Sequence, residues 1–231
     1  MEKTTLEEIS NYQRQTVGEI FSTANSPIKA VILSVEDAHQ WFDKLRKKLS
    51  SFKHIACTMG CSWCCNQRVS LSYAEAFNIG WYIDKHIPSG TLKDQIISDT
   101  KARWQTEDRL DSPSRFATGI PCPFLNREQD LCLIHAVRPF SCRWYESLDE
   151  MACKKPALEN SSELNIPYDP RIQQLAEAVE EGMLLGFQDQ GFSNDILLMT
   201  GALTIFWSDK NCFSNWCAKG QPFKNSQVGN E

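Results

Sequence analysis

Four of the ten cysteines in this chain fall within the nine residues CTMGCSWCC, from Cys57 to Cys65. The other two members of this run are Cys61 and Cys64, and Cys64 directly precedes Cys65. Adjacent cysteines cannot form a disulfide with each other without a strained ring. In a reducing compartment, clustered thiols more often bind metal or do redox chemistry than form structural disulfides. The run therefore indicates a metal ion or an iron–sulfur cluster, with redox disulfides and plain packing as the alternatives.

Three further cysteines extend the candidate donor set. Nine residues separate Cys122 from Cys132, and nine separate Cys132 from Cys142. Seven thiols exceed one tetrahedral site, so either one centre uses four of them or two metals share bridging thiolates. The spacing suits zinc and an iron–sulfur cluster equally. The predicted metal ligands are Cys57, Cys61, Cys64, Cys65, Cys122, Cys132 and Cys142.

The composition narrows the class of protein. Of 231 residues, 42% are hydrophobic, which is enough for an apolar core. The 24 Lys and Arg residues are spread thinly and the net charge is −5, which makes a nucleic-acid partner a poor fit. The N-terminus lacks a signal-peptide pattern, and no run of about 18 apolar residues occurs. We therefore expect a cytoplasmic protein that does not enter a membrane; a protein partner is compatible with this composition.

The hydrophobic pattern predicts a mostly α-helical domain with one small β-hairpin. Helices are expected over 28–49 after Pro27, after the capping box of Ser72 and Glu75, and from Pro88 towards Leu110. Asp169 and Pro170 predict the start of another helix. A last apolar helix is expected to be capped by Ser193 or Asn194 and to end near Trp207, with residues 111–119 and 154–168 irregular.

A hairpin is predicted where two short apolar runs, Cys122–Leu125 and Leu131–Ile134, flank a polar turn. The cysteines then lie in loops of the helical domain. We expect an N-terminal helical segment over 1–52, a cysteine-cluster core over 53–153, C-terminal helices over 154–219 that pack on this core, and a flexible tail over 220–231.

CTMGCSWCC, followed by PCPFL and LCLIHAVRPFSCRWY, resembles the YkgJ-type cysteine-cluster family, which is proposed to chelate zinc or iron. The resemblance covers roughly residues 54–146 and includes seven cysteines, the pair Arg138-Pro139, and Glu75 on the helix after the cluster. It implies metal chelation by zinc or an iron–sulfur centre. A related cluster occurs in flagellin lysine methylases. His135 departs from the family pattern, where Tyr is more usual.

Other residues near the cluster have less specific roles. Arg138 and Arg143 are predicted to contact the cofactor, since a guanidinium offsets the charge of a thiolate-rich site. Aromatic neighbours that could shield a redox centre give a slight preference for iron–sulfur; they are Trp63, Phe140, Trp144 and Tyr145. We expect Glu75 to act as a helix cap, His54 and His135 to be packed or solvated, and Cys212 and Cys217 to be buried small hydrophobes. Cys153 is equally compatible with an eighth ligand and a bystander.

Two function classes remain. The first is a metal-binding protein without turnover of its own, and the second is a cluster-dependent enzyme for redox or methyl transfer linked to S-adenosylmethionine. The radical S-adenosylmethionine signature shares C-x3-C-x2-C with an aromatic before the third cysteine. That class requires alternating strands and helices, which this sequence lacks. No phosphate loop, Ser–His–Asp order or H-E-x-x-H motif occurs.

Overall fold

Helices dominate the computed structural model, which describes residues 3–49, 55–107, 120–159 and 165–227. The predicted fold class, mostly α with a small hairpin, is confirmed. His54 and the predicted loop 111–119 lie outside the described residues. The helices in the described ranges are α1 Lys3–Thr23, α2 Pro27–Leu49, α3 Tyr73–His86, α4 Thr91–Glu107, α5 Phe140–Arg143, α6 Glu150–Glu159, α7 Pro170–Asp189, α8 Met199–Ser208 and α9 Cys212–Cys217.

Local sequence signals predicted the start of three helices. α2 begins at Pro27. In the capping box of α3, the Ser72 side chain accepts a hydrogen bond from the Glu75 N–H, and the Glu75 carboxylate accepts one from the Ser72 N–H. α7 begins at Pro170, and the Asp169 side chain accepts a hydrogen bond from the Arg171 N–H in the first turn.

The predicted hairpin is confirmed, and a second strand pair appears that was not predicted. The strands β2 (Leu125–Asn126) and β3 (Leu131–Cys132) pair antiparallel. β1 (Ser70–Leu71) pairs antiparallel with β4 (Leu197–Leu198), which lies far along the chain. Because two residues per strand carry no periodic signal, only the tertiary fold defines this pair.

Two predicted boundaries were wrong. Residues 154–159, expected to be irregular, complete α6, which packs on the 3-10 turn Trp63–Asn66. Neither Ser193 nor Asn194 caps α8, because β4 leads directly into Met199. In both places a tertiary contact decided the conformation where the local sequence signal was weak.

One apolar core joins the N-terminal helices, the cysteine segment and the C-terminal helices. α7 packs along α1 and crosses α2, while α8 packs on α3 and α4. The close approach of α1 and α7 depends on small residues: a Cβ atom at Gly182 would collide with the Ser10 carbonyl, and one at Gly186 would lie 2.6 Å from Val17 Cβ. This packing holds the ends of α3, α4 and α7 around the cysteine-rich loops.

The helices in the described ranges include none with the length and apolar character needed to cross a bilayer.

Candidate metal centre

A single cavity of about 1380 Å³ brings together all seven thiols predicted as metal ligands. Separate parts of the chain supply them: the run 57–65, the segment before β2, the strand β3 and the short helix α5. Cys57 is exposed, Cys122 is buried, and the other five are half-buried. The cavity therefore gathers sulfur atoms that lie up to 85 positions apart in the sequence, from 57 to 142.

The upstream cysteines lie on a tight backbone path. Gly60 has φ +88°, a left-handed conformation that favours glycine. The Cys61 N–H donates to the Thr58 carbonyl at 3.0 Å, and the Cys65 N–H donates to the Ser62 carbonyl at 2.9 Å. The 3-10 turn that follows, Trp63–Asn66, carries Cys64 and Cys65 together. These turns are what allow so many thiols to face one space.

A main-chain hydrogen bond ties the downstream cysteines to this loop. The Cys122 N–H donates to the Cys65 carbonyl at 2.6 Å. In the hairpin, Cys132 lies opposite Leu125, and the Leu133 N–H donates to the Phe124 carbonyl at 2.8 Å. The hairpin therefore presents Cys122 and Cys132 from one rigid unit.

Glu75 does more than cap α3. Its Oε1 accepts a hydrogen bond from the Phe140 N–H at 2.8 Å, at the start of the helix that carries Cys142. Burial alone would raise the pKa of Glu75, but the nearby His39 and the hydrogen bonds from the Ser72 and Phe140 N–H groups outweigh it and hold the pKa below its usual value. The ionised carboxylate thus fixes the orientation of α5.

Five of the thiols, which we call the inner thiol group, lie within electrostatic range of one another; they are Cys64, Cys65, Cys122, Cys132 and Cys142. A hydrogen bond with Cys65 lowers the pKa of Cys64 to about 7 and raises that of Cys65. Burial raises the pKa of Cys122 to about 12. Burial, and then repulsion from Cys64, Cys122 and Cys132, raises the pKa of Cys142. A cation bound among these thiols would lower their pKa values and favour the thiolate forms.

A second set of thiols adjoins the first at Cys64; we call it the outer thiol group, and it comprises Cys57, Cys61 and Cys153. The Ser147 N–H donates to Cys57 Sγ at 3.3 Å. Cys153 is 5% exposed, and burial raises its pKa to about 11, with further contributions from Cys57, Cys64 and Cys61. The structure thus places Cys153 beside the upstream thiols, a position that its sequence spacing did not define.

As the side chains lie, no three Cys, His, Asp or Glu side chains of the described residues form a set that could hold one metal ion. Metal binding therefore requires thiols to turn towards a common point. The donor chemistry fits zinc or iron, because thiolate sulfur is a ligand of both. All seven candidate ligands line a cavity, and only Cys122 among them is buried, so there is space for such rotation.

The two arginines predicted to contact the cofactor face different surroundings. Arg138 lines the cavity, and its charge favours the thiolate form of Cys64, Cys132 and Cys142, although burial still raises the pKa of Cys132 and Cys142. Arg143 instead donates to Asp43 at 2.7 Å, to the Ala136 carbonyl at 2.8 Å and towards His39 Nδ1 at 3.3 Å.

The other candidate residues lie mainly around this site. The exposed His135 lines the cavity. Among the aromatic neighbours, Trp144 and Tyr145 also line it, whereas Trp63 packs against Cys153. Phe140 is buried against His39 and Phe42. Cys212 and Cys217 lie on α9, away from the residues that line the cavity; Cys212 is buried and Cys217 half-buried.

Sequence reasoning missed Arg103, which holds the adjacent cysteine pair in place. This side chain is 2% exposed and donates to the carbonyl oxygens of Cys65 and Gln67. Its Nε donates to Glu107 Oε1 at 2.8 Å, and Glu107 in turn accepts from the Thr200 hydroxyl. In sequence, Arg103 and Glu107 look like an ordinary surface pair four residues apart on a helix. Only the fold shows that this pair is buried under the cysteine loop.

One comparison with known proteins found a match. Residues 56–163 match one protein-family model, CxxCxxCC, whose description is "Putative zinc- or iron-chelating domain". The match confirms the predicted resemblance to this family over residues 56–163. The family description supports metal binding, with zinc or iron, as the general function of this segment. No curated protein and no solved structure matches the chain.

Proposed function

We propose that this protein binds zinc or an iron–sulfur cluster through the thiols gathered in the cavity. The observation that supports this most strongly is the convergence of the inner thiol group, because its members come from the upstream loop, the hairpin and α5. A cation bound among these thiols would favour their thiolate forms, so the gathered sulfur atoms form a set of potential metal ligands.

The inner thiol group supplies the metal ligands in this proposal. It contains five thiols where a zinc ion or a cluster takes four. Cys64 lies where the inner and outer thiol groups meet. Cys57 and Cys61 then serve either as alternative ligands or as part of a second centre that shares Cys64, the dinuclear arrangement allowed by the sequence. Arg138, which faces these thiols, offsets their negative charge.

Anaerobic purification followed by elemental analysis and a visible spectrum tests the proposal. An iron–sulfur cluster gives a brown protein that absorbs near about 400 nm, whereas zinc gives a colourless protein with stoichiometric metal. A folded preparation that contains neither metal, and takes up neither on reconstitution, would rule the proposal out.

A second candidate function, a cluster-dependent enzyme, is favoured by one observation. The cavity that holds the thiols is also lined by Trp104, Trp144 and Tyr145, as expected if an organic substrate binds beside the metal. The methyl-transfer version of this function requires S-adenosylmethionine to bind. Calorimetric titration of the metal-loaded protein tests this version, and the absence of binding heat would exclude it.

The free thiols also suggest where the protein works. All ten cysteines are unpaired. We propose a reducing, cytoplasmic location, since thiols of this number would oxidise in a secreted protein. Fractionation of cells that express the tagged chain would test this.

A further inference from the structure

The cavity is larger than a metal centre requires. Its volume is about 1380 Å³, whereas a zinc site has sulfur atoms only about 2.3 Å from the metal. Sites for organic ligands commonly measure about 300–1,000 Å³. Away from the thiols, the cavity extends along residues 67–71 towards α4, α7 and α8. The space beside the metal is therefore large enough for an organic molecule.

Most acceptor groups on the cavity wall already have partners. Glu107 accepts from Arg103 and Thr200, and Glu146 pairs with Arg46. Further along the wall, Gln173 donates to Glu177 at 2.7 Å. These carboxylates need no ligand to satisfy them.

Several residues that line the cavity carry buried hydrogen-bond donors without a partner in the described ranges. Gln67 is 5% exposed, and its Nε2 is buried with no hydrogen-bond partner among the described residues. Nε of Arg46 and Nε of Arg138 also lack a partner among the described residues, whereas the unpartnered indole N–H of Trp104 lies against Gly201. Arg138 lines the cavity and forms no ion pair with an acidic side chain in the described part of the chain, so its charge is available to a ligand.

Glu180 is the exception among the carboxylates, because it lines the cavity without a hydrogen bond from the described residues. Burial, and then the nearby Glu75 and Glu177, raises its pKa. A raised pKa favours the neutral carboxyl group, which can itself donate a hydrogen bond. Glu180 is thus compatible with a ligand rich in acceptors.

We propose that the cavity binds a small organic anion beside the thiols, with its carboxylate or phosphate group held by Arg138 and with Gln67 as a further donor. A buried donor without a partner is costly, and an anion that accepts from it recovers that cost. Because Arg138 lies within electrostatic range of Cys64, Cys132 and Cys142, the anionic group sits next to the metal ligands. The inference rests on the proposed function in one respect, namely that a metal lies beside the bound anion. It also gives small organic anions as the substrate class of the cluster-dependent enzyme.

Calorimetric titration with three matched probes tests the site on the protein as purified anaerobically. Benzoate and phenyl phosphate share a ring suited to the aromatic wall and distinguish a carboxylate ligand from a phosphate ligand; benzylamine carries the opposite charge. We expect at least one anion to saturate with a Kd below about 1 mM and benzylamine not to bind. Failure of both anions to saturate by about 10 mM would overturn the proposal.

The anion affinities of substituted proteins test which residues form the site. R138Q is expected to weaken binding of the anion by about tenfold or more. Its control is R127Q, which removes the same charge from an exposed position at the hairpin turn and should leave the Kd unchanged. Binding to R138Q at wild-type affinity would contradict the proposal. If R138Q loses metal or misfolds, Q67L decides instead: weaker binding supports the site and unchanged binding refutes it.

Metal content measured on each sample separates this inference from the metal centre itself. A metal-loaded protein that binds neither anion refutes the anion site alone. If the protein binds benzoate through Arg138 but takes up no metal, the result supports the anion site and refutes the metal centre.

Discussion

At the scale of single residues, Cys142 depends on groups that lie far from it in sequence. Its helix is anchored by Glu75, and the Ser141 hydroxyl donates to the Ser70 carbonyl at 2.6 Å. The thiol itself is surrounded by three other members of the inner thiol group. This environment makes Cys142 a sensitive position at which to test metal ligation.

Replacing Cys142 by Ser should lower metal content and thermal stability together, because a hydroxyl is a poor ligand for zinc or iron and metal binding contributes to folding free energy. We expect at least half of the bound metal to be lost and the Tm to fall by several degrees. Elemental analysis and thermal melts measure both. C217S is the matched control, since Cys217 lies outside the cavity, and wild-type metal content in C142S would contradict the ligand role.

A second residue-scale prediction concerns pH and His39. Burial lowers the pKa of His39, and Arg143 also lowers it, although Glu75 acts in the opposite direction. The unfolded chain therefore takes up a proton below about pH 6.5 that the folded chain does not, so stability falls as pH falls through this range. We expect a loss approaching 1 kcal/mol between pH 6.5 and 5.5 from this group.

Urea unfolding of wild type and H39Q at pH 7.5, 6.5 and 5.5 measures this contribution. Gln keeps a neutral acceptor for Arg143 and does not titrate, so the stability of H39Q should depend less on pH. Comparing the two proteins cancels the pH dependence of metal binding. Parallel profiles for the two proteins would show that His39 does not contribute.

At the scale of elements, α4 holds the cysteine loop through the ion pair of Arg103 and Glu107. Both side chains are almost fully buried, so removing one leaves the other charge unpaired. We expect R103M to destabilise the protein by roughly 3–5 kcal/mol, and R103M/E107M to recover part of that loss. Chemical denaturation measures both. A double variant no more stable than R103M would indicate that the carbonyl contacts of Arg103, and not its ion pair with Glu107, determine its contribution.

The packing of α1 on α7 gives a second prediction at this scale. At Gly182 a methyl group would collide with the Ser10 carbonyl, a backbone atom that cannot move without shifting α1. G182A should therefore cost about 1–3 kcal/mol. At Gly18, on α1, a Cβ atom meets nothing within 4 Å, so G18A should stabilise the helix by about 0.5–1 kcal/mol. Thermal melts of the two variants should shift in opposite directions; equal shifts would contradict this packing.

At the scale of the whole molecule, most of the helical core lies outside the candidate metal centre, although the two share one apolar cluster. The apolar core includes α1, α2, α3 and α7, which supply none of the predicted ligands. Removing metal by chelation should lower the Tm by roughly 5–10 °C while most helical circular dichroism remains. Amide exchange should rise in residues 57–66 and the hairpin and stay slow in α1 and α7. Unchanged exchange in the hairpin would argue against metal ligation by Cys122 and Cys132.

Local chemistry explains which features were predictable. The capping box of Ser72, the start of α7 at Asp169 and the hairpin each depend on residues only a few positions apart, and each was predicted. The predictions for residues 154–159 and for the start of α8 were wrong. Contacts with Trp63–Asn66 and the pairing of β4 with β1 determine these two features. The second role of Glu75 and the burial of Arg103 are equally non-local.

The sequence by itself determined the donor chemistry and the helical class, since cysteine content, apolar periodicity and caps are properties of short stretches of chain. The tertiary structure alone decided that the thiols share one cavity, that Cys153 joins the upstream thiols, that Arg138 faces them and that Arg143 contacts Asp43. These outcomes depend on where distant elements pack, and packing arises from the summed burial of the whole core, which no local pattern encodes.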